Sequence, residues 1–321
     1  MTNVSRRAML GAGAALVATH PFAAMAQKWP DGDIISILLG YGPGGNIDLL
    51  VRVLATRLEA KLGARVVIKN RPGASGSLAL AELARSKPNG FTLAAVNPST
   101  LSVVPRMLNV GYTKDDFDYV AGWVTQRFGI AVRADSPYQT ILDVVEAGKG
   151  STGLFFGTAA ALHSLMLYEF ATKSGTNIEL VNYKSGPEIM AAILGGQIQG
   201  VILNPSDILQ HVSTGKLRFL ASGGPSRWPE FPQVPTLTEA GYEVRSAQTV
   251  GGLAAPKGTP PEILKRLESE IAAILKEPEF NEAIAKLGAE TTFLSGAQYK
   301  AYIDKNDAFF GELVSSAGLG K

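Results

Sequence analysis

The residues best suited to bind a small anion lie in the glycine-rich stretch 40–48, Gly-Tyr-Gly-Pro-Gly-Gly-Asn-Ile-Asp. Glycines let a ligand lie directly against the main chain. The apolar residues 34–39 before this stretch predict a buried strand, and the pattern after it predicts a helix over 46–62 that ends at Gly63. The first amides of a helix are free donors with partial positive charge. The stretch therefore favours a carboxylate or phosphate ligand, although a tight turn without a ligand fits equally well.

Two polar side chains at the start of this predicted helix have expected roles. Asn46 is placed as the N-cap residue. Asp48, in the first turn, is expected to accept hydrogen bonds from the free amides of that turn and so hold the loop in shape.

Strand and helix patterns alternate from Trp29 onward, and the last 60 residues are predicted to be helical. Alternation at this spacing implies parallel strand pairing with right-handed crossovers. Two such α/β units predict two lobes with a cleft between them. The predicted strands cover residues 34–39, 65–69, 91–96, 129–133, 153–157, 178–182, 200–203, 217–222 and 249–254.

Four loops follow the carboxyl ends of predicted strands, which is where ligands bind in open α/β sheets. They cover residues 40–48, 97–100, 157–163 and 204–207. Because all four fall at the same edge, their agreement is better evidence for a binding site than any one of them alone.

The composition excludes several classes of function. The 321-residue chain has no cysteine, which rules out disulfides, thiolate nucleophiles and cysteine-ligated zinc. The two histidines beyond residue 26, His163 and His211, have no second ligand at metal-binding spacing, so neither a metal nor a cofactor is predicted. His163 beside Thr158 lacks a third, orienting group, which favours a hydrogen-bonding role in the cleft over catalysis.

The first 26 residues are predicted to be an export signal and not part of the fold. Arg6 and Arg7 precede an apolar segment, and Ala24-Met25-Ala26 matches a signal-peptidase site. The arginine pair also resembles a twin-arginine signal, so cleavage near Ala26 and a periplasmic, soluble mature chain are expected. Without these two arginines, 28 basic residues face 28 acidic ones, and no nucleic-acid partner is expected.

The loop motifs at 42–48, 70–74 and 88–93 resemble those of the Bug-type solute-binding proteins of tripartite tricarboxylate transporters. Further matching motifs follow in the expected order up to residues 255–260. The resemblance implies an α/β, two-lobed periplasmic binding protein of type II, a Venus flytrap with its ligand cleft between the lobes.

The same resemblance implies lobe boundaries and a function. The first lobe would comprise residues 27–124 and 250–321, and the second residues 125–249. The protein would be a monomeric receptor and not an enzyme, and it would need no cofactor. It would close around a small organic mono-, di- or tricarboxylate and deliver this ligand to membrane transporter subunits.

In this family two loops, one from each lobe, hold the ligand carboxylate, and they correspond to residues 41–48 and 157–163 here, supported by Ser99 and Thr100. The candidate ligand-binding residues are Tyr41, Gly44, Gly45, Asn46, Asp48, Ser99, Thr100, Thr158, Ala159, His163, Asn204 and Asp207.

One position departs from the family pattern. Many relatives carry an Asp where this chain has Leu203, followed by Asn204. An unpaired ammonium is costly to bury, so an amine-free carboxylate is expected, with an aromatic body as one possibility, unless Asp207 turns into the cleft and restores the acid. Two alternatives stay open: a ligand sensor for a membrane kinase, and a secreted hydrolase or isomerase that uses His163 with Asp48 or Asp207.

Overall fold

The computed structural model describes residues 29–320 except 151, 159, 184–185, 225 and 245–247. The predicted export signal and the candidate residue Ala159 lie outside the described residues. The strands formed by the described residues are β1 Ile35–Leu39, β2 Val66–Asn70, β3 Thr92–Val96, β4 Phe117–Arg127, β5 Gly129–Arg133, β6 Leu154–Thr158, β7 Ile178–Asn182, β8 Gly200–Leu203, β9 Leu217–Ser222, β10 Gln248–Pro256 and β11 Glu290–Ser295.

The helices lie between these strands and at the C-terminal end, as the alternating pattern predicts. They are α1 Asn46–Leu62, α2 Ser77–Ala84, α3 Val104–Met107, α4 Ile141–Gly148, α5 Ala161–Ser174, α6 Gly186–Leu194, α7 Pro205–Ser213, α8 Pro261–Ile274, α9 Pro278–Lys286 and α10 Gly296–Ser316.

Two sheets organise the fold, one in each lobe. The first has the strand order β11-β4-β10-β3-β1-β2 and the second the order β7-β6-β8-β5-β9. The predicted parallel pairing is confirmed for β1 with β2 and β3, and for β6 with β7 and β8. By contrast, β10 runs antiparallel to β3 and β4, and β5 runs antiparallel to β8 and β9.

Two strands are missing from the sequence prediction, and each has a physical reason. Strand β4 is buried along nearly its whole length between β10 and β11, so it shows no alternation of apolar and polar residues. Strand β11 is a short edge strand in which three of six residues are Glu or Thr. The prediction that the last 60 residues are wholly helical is therefore wrong at β11.

The chain passes between the lobes at two places. Strand β4 ends at Arg127 in the first sheet and β5 begins at Gly129 in the second, while residues 223–247 lead back to β10. The predicted lobe boundaries fall inside β4 and at the start of β10 and stay predictions.

Helices cover both faces of each sheet. In the first lobe, α1 and α8 pack on one face, and α2 and α10 contribute to the cluster on the other. In the second lobe, α4 and α5 cover one face, and α6 and α7 cover the other. The last turns of α10 place Phe310 and Leu313 in the apolar cluster of the second lobe, so this helix contacts both lobes.

Candidate functional site

A cavity of about 190 Å³ lies between the lobes, at the edge where the predicted loops meet. The first lobe contributes the glycine-rich loop, Asn97, Ser99, Gln126 and Thr249 to its lining. The second contributes the start of α5, the start of α6, and the segment from Leu203 into α7.

The structure brings most of the predicted binding residues to this cavity. Those in its lining are Tyr41, Gly45, Asn46, Ser99, His163, Asn204 and Asp207. Four other candidates lie outside the lining, namely Gly44, Asp48, Thr100 and Thr158. Contact with a ligand stays a prediction for all of them.

Asp48 lies beneath the glycine-rich loop and supports it through side-chain contacts. Its carboxylate accepts hydrogen bonds from the Gly44 amide and the Asn70 side chain, each at 2.9 Å, and from Arg52 at 2.8 and 2.9 Å. Asn70 also donates to the Tyr41 carbonyl at 2.9 Å. Asp48 thus holds the loop through the Gly44 amide, which precedes the helix, and not through the amides of the first helical turn that the sequence prediction named.

The electrostatics of Asp48 follow from these contacts. Burial by itself raises the pKa of its carboxyl group, but hydrogen bonds from Arg52, Asn70 and the Gly44 amide, with the Arg52 charge, hold the pKa below its ordinary value. The group is therefore ionised at pH 7.

The loop conformation depends on glycine at one position. Gly44 has φ +82°, a left-handed conformation that side chains with a Cβ rarely adopt. Gly45 has φ −76° and ψ 166° and is the N-cap residue of α1. The prediction of Asn46 as N-cap is wrong by one residue, because Asn46 is already helical and its side chain bonds elsewhere. The predicted stop is confirmed, since Gly63 has φ 64° at the end of the helix.

Asn46 links the two lobes. Its side-chain amide donates to Ser206 Oγ of α7 at 2.7 Å and to the Leu287 carbonyl at 3.2 Å. Its Oδ1 accepts a hydrogen bond from Gln126 at 3.1 Å. Both amide hydrogens are thus engaged within the protein, which leaves the main-chain amides of the first α1 turn as the free donors of this element.

In the segment after β3, Thr100 supports the loop and Ser99 offers a hydroxyl to the cavity. Thr100 lies behind the lining, where its amide donates to Asn97 Oδ1 at 3.0 Å and its hydroxyl to the Asn97 carbonyl at 3.1 Å. Ser99 is in the lining and buried, and its Oγ has no partner among the described residues. Burial raises the pKa of Tyr41, and a hydrogen bond with Asn97 lowers it in part. Tyr41 is therefore a neutral hydroxyl in this cavity.

In the second lobe, Thr158 supports the start of α5 from behind. Its hydroxyl contacts Asn182 Oδ1 at 2.8 Å and Ser164 Oγ at 3.0 Å, and the side chain is fully buried.

His163 lies in the cavity lining with its ring edge-on to that of Phe128, and the two ring centroids are 4.7 Å apart. Burial lowers the pKa of His163 to about 4, so the ring is neutral at pH 7. Its Nδ1 has no partner within the described part of the chain.

Leu203, Asn204 and Asp207 all lie in the lining. Asn204 is the N-cap residue of α7 without a side-chain cap bond, and its buried Oδ1 lacks a partner among the residues described. Burial raises the pKa of Asp207 to about 6, although a hydrogen bond from the Asn204 amide lowers it in part. The expectation of an amine-free ligand depended on Asp207 staying out of the cleft, and the structure places Asp207 in the lining.

Thr249, Gln126 and Phe128 also line the cavity and are absent from the sequence prediction, whereas Asn97 lies in a predicted loop without being named as a binding residue. The prediction considered only loops after parallel strands. Because β10 runs antiparallel, its first residues lie at the same edge as the ends of β3 and β4. Thr249 therefore reaches the cavity, where its buried Oγ1 lacks a partner in the described residues.

The arrangement is suited to binding a small anion without a salt bridge. The first residues of α1, α5, α6 and α7, or their N-caps, contribute to the lining, and helix N-termini favour negative charge. No lysine or arginine lies in the lining described.

The described residues contain no group of three or more His, Asp or Glu side chains that could hold a metal ion. Within them, no helix is long and apolar enough to cross a membrane.

Comparisons with known proteins agree with this geometry. Residues 50–319 match the model of the tripartite tricarboxylate transporter family receptor. A UPF0065 protein of the gbd 5′ region of Cupriavidus necator is 32% identical over 99% of this chain and 98% of its own length. The structure of the periplasmic binding protein BugD is 27% identical, with a TM-score of 0.82 over 90% of this chain and 98% of that one.

A protein of R. palustris, solved with adipate, is 26% identical, with a TM-score of 0.84 over 91% of this chain and 99% of that one. These matches confirm the predicted two-lobed fold, and the family and its structural neighbours are binding proteins and not enzymes. The chain therefore belongs to the tripartite tricarboxylate transporter family of receptors, as a Bug-type periplasmic solute-binding protein.

Proposed function

We propose that this protein captures a small organic carboxylate in the cavity between its lobes and delivers it to the membrane subunits of a tripartite tricarboxylate transporter. The observation that carries the proposal is the set of buried side-chain polar atoms in the lining that have no partner among the described residues: Ser99 Oγ, Thr249 Oγ1, His163 Nδ1 and Asn204 Oδ1. A buried polar group without a partner is costly, so these atoms are suited to a polar ligand.

Hydrogen bonding alone provides enough affinity. Bonds to a charged group contribute roughly 1.5–3 kcal/mol each. The hydroxyls of Ser99 and Thr249 and the first amides of α1 and α5 offer about five such donors. Their sum, about 7.5–15 kcal/mol, exceeds an association cost of at least ~4 kcal/mol, and the upper part of this range leaves the ~8 kcal/mol net that micromolar binding requires.

The size and surface of the cavity restrict the ligand further. A cavity of about 150 Å³ holds one benzene molecule, so about 190 Å³ fits an acid of roughly six to ten non-hydrogen atoms. Ile47, Phe128 and Leu203 offer an apolar wall for its carbon chain. The adipate bound by the R. palustris relative has this size and chemistry, which supports the proposal.

Delivery requires the membrane partner to distinguish loaded from empty receptor. The Asn46–Ser206 hydrogen bond forms only when the lobes are close together, since the two residues belong to different lobes. A ligand that contacts both lobes favours the same arrangement. The predicted export signal would place the receptor in the periplasm, where the transporter subunits read the closed form.

A thermal-shift screen of about a hundred organic acids, amines and sugars tests this function. Carboxylates of the stated size should raise the melting temperature of the wild type. In Gly45→Val the extended backbone at φ −76° tolerates a side chain, and the nearest atom to its Cβ is the Gly42 carbonyl oxygen at 3.8 Å. The new side chain occupies space at the lining, so this variant should fold but lose the carboxylate response. A response to amines or sugars alone would contradict the proposal.

A further inference from the structure

Asp207 is the one carboxylate in the described lining of a cavity that is otherwise arranged for anions. It lies in the first turn of α7, and its Oδ1 is so close to the start of α6 that a Cβ on Gly186 would lie 3.0 Å from it. The neighbouring Ser206 bonds to Asn46 of the first lobe. Asp207 is therefore held where the two lobes meet.

A ligand carboxylate near an ionised Asp207 would meet a like charge in a place with little water, which is strongly unfavourable. Either an ammonium group on the ligand or a proton can remove this conflict. The N-termini of α6 and α7 both lie beside Asp207 and carry partial positive charge, which opposes an ammonium at this position. The same charge opposes protonation of Asp207, but a proton shared between two carboxyl oxygens needs no added room and only two acceptors, whereas an ammonium has three donors to satisfy.

We propose, resting on the carboxylate-binding function above, that Asp207 binds a second carboxylate of the ligand through a shared proton, so that the receptor selects amine-free dicarboxylates. The proton comes from solvent as the ligand enters. The Asp207 O–H then donates to one ligand oxygen, and the pair carries a single negative charge. The other ligand carboxylate is held by the hydroxyls and helix amides at the opposite part of the cavity.

The groups around Asp207 favour binding of this proton to its carboxylate. Burial raises the pKa of Asp207 to about 6, despite the opposing hydrogen bond from the Asn204 main-chain amide, so binding a proton near neutral pH requires a smaller further rise than it would for an exposed carboxyl group. Burial lowers the pKa of both His163 and His211, the latter with a contribution from the Lys216 charge, so both rings are neutral at pH 7. Among the described residues, the other titratable or charged groups on the elements around Asp207 include Tyr41, Asp48 paired with Arg52, Glu188 in the first turn of α6, and Arg127 paired with Glu230.

The direction of the pH dependence follows. The second carboxylate of the ligand raises the pKa of Asp207 above its value in the free protein. Affinity for a dicarboxylate is then highest below pH 6 and falls by up to about tenfold for each pH unit above it, until the raised pKa of the complex is passed. A monocarboxylate of equal length places no carboxylate beside Asp207, so its affinity shows no such fall.

Isothermal titration calorimetry of adipate and hexanoate tests this on the wild-type protein. Measured at pH 8 in phosphate and in Tris, whose ionisation enthalpies differ, adipate binding should take up close to one proton and hexanoate binding none. Between pH 6 and pH 8 the adipate affinity should fall by roughly ten- to a hundredfold. Adipate binding without proton uptake overturns the inference.

Asp207→Asn provides the matched variant, because its amide donates a hydrogen bond without needing a proton. At pH 8 it should bind adipate at least about tenfold more tightly than the wild type, with no proton uptake and a flat pH profile. Asp135→Asn, at an exposed ion pair with Arg133 far from the cavity lining, should behave as wild type.

Three other outcomes count against the inference or the function in distinguishable ways. Tighter binding of 2-aminoadipate than adipate, lost in Asp207→Asn, would make Asp207 the counterion of an ammonium and overturn the inference. Binding of monocarboxylates alone would also overturn it while leaving the proposed function intact. A receptor that binds no carboxylate at any pH would refute the proposed function itself.

Discussion

The two loops that start α1 and α5 face one cavity but are supported by different chemistry. The glycine-rich loop of the first lobe is held by an ionised carboxylate, Asp48, through Gly44, Arg52 and Asn70. The loop of the second lobe is held by neutral groups, with the Thr158 hydroxyl between Asn182 and Ser164. In both, a side chain among the predicted binding residues lies outside the cavity lining and supports the loop, while its contact with a ligand stays a prediction.

The support of the first loop shows how a binding site for a carboxylate ligand can tolerate an acidic side chain nearby. The Asp48 charge is compensated by Arg52 and lies outside the lining, so it does not repel an anion in the cavity. Asp207 lies in the lining without such a partner among the described residues. The first acid therefore serves structure and the second is available to the ligand.

The largest expected effect comes from removing the ionised support. Asp48→Ala breaks hydrogen bonds from three groups to a charged acceptor, so the free energy of unfolding in urea should fall by about 3–4 kcal/mol, with loss of carboxylate binding. Because contacts in the folded state lower the pKa of Asp48, its stabilisation is present above the ordinary carboxyl pKa and disappears as the pH falls through the lowered value.

Arg52→Met is the matched control for this variant. It removes the ion pair but keeps the bonds from Gly44 and Asn70, and Arg52 is half exposed, so a loss of about 1 kcal/mol or less is expected. If both variants lost the same stability, the ion pair alone would support the loop and the role of the amide contacts would be disproved.

A smaller effect is expected from the neutral support of the second lobe. Thr158→Val removes the buried hydroxyl that bonds to Asn182 Oδ1 and contacts Ser164 Oγ, so the protein should lose about 1–2 kcal/mol of stability, while carboxylate affinity changes by less than about twofold. Thr249→Val should show the reverse pattern, because Thr249 lies in the lining. A large loss of affinity in Thr158→Val would instead support its predicted role as a binding residue.

Much of the fold follows from local patterns. Strands β5, β7, β8 and β9 match their predicted bounds residue for residue. Their apolar runs are bounded by turns rich in glycine, proline and polar residues, which mark where each strand begins and ends. The buried strand β4 and the polar edge strand β11 carry no such local signal, because long-range pairing and not the neighbouring sequence determines them.

The site could be predicted at the level of loops but not of contacts. All four predicted loops contribute to the cavity. Whether a side chain faces the ligand or supports a loop depends on partners distant in sequence: Asn46 bonds to Gln126 and Ser206, and Asp48 to Asn70. Thr249 was not predicted, because the antiparallel direction of β10 is set by its pairing with strands that are distant in sequence.

The most direct test compares two buried serines three residues apart. Ser99 lies in the cavity lining, whereas Ser102 is equally buried but lies outside it. By calorimetry with a carboxylate identified in the screen, Ser99→Ala should weaken binding by about 1.5–3 kcal/mol, the contribution of one hydrogen bond to a charged group. Ser102→Ala should leave the affinity unchanged. Equal affinities for both variants and the wild type would contradict the claim that this cavity holds the carboxylate.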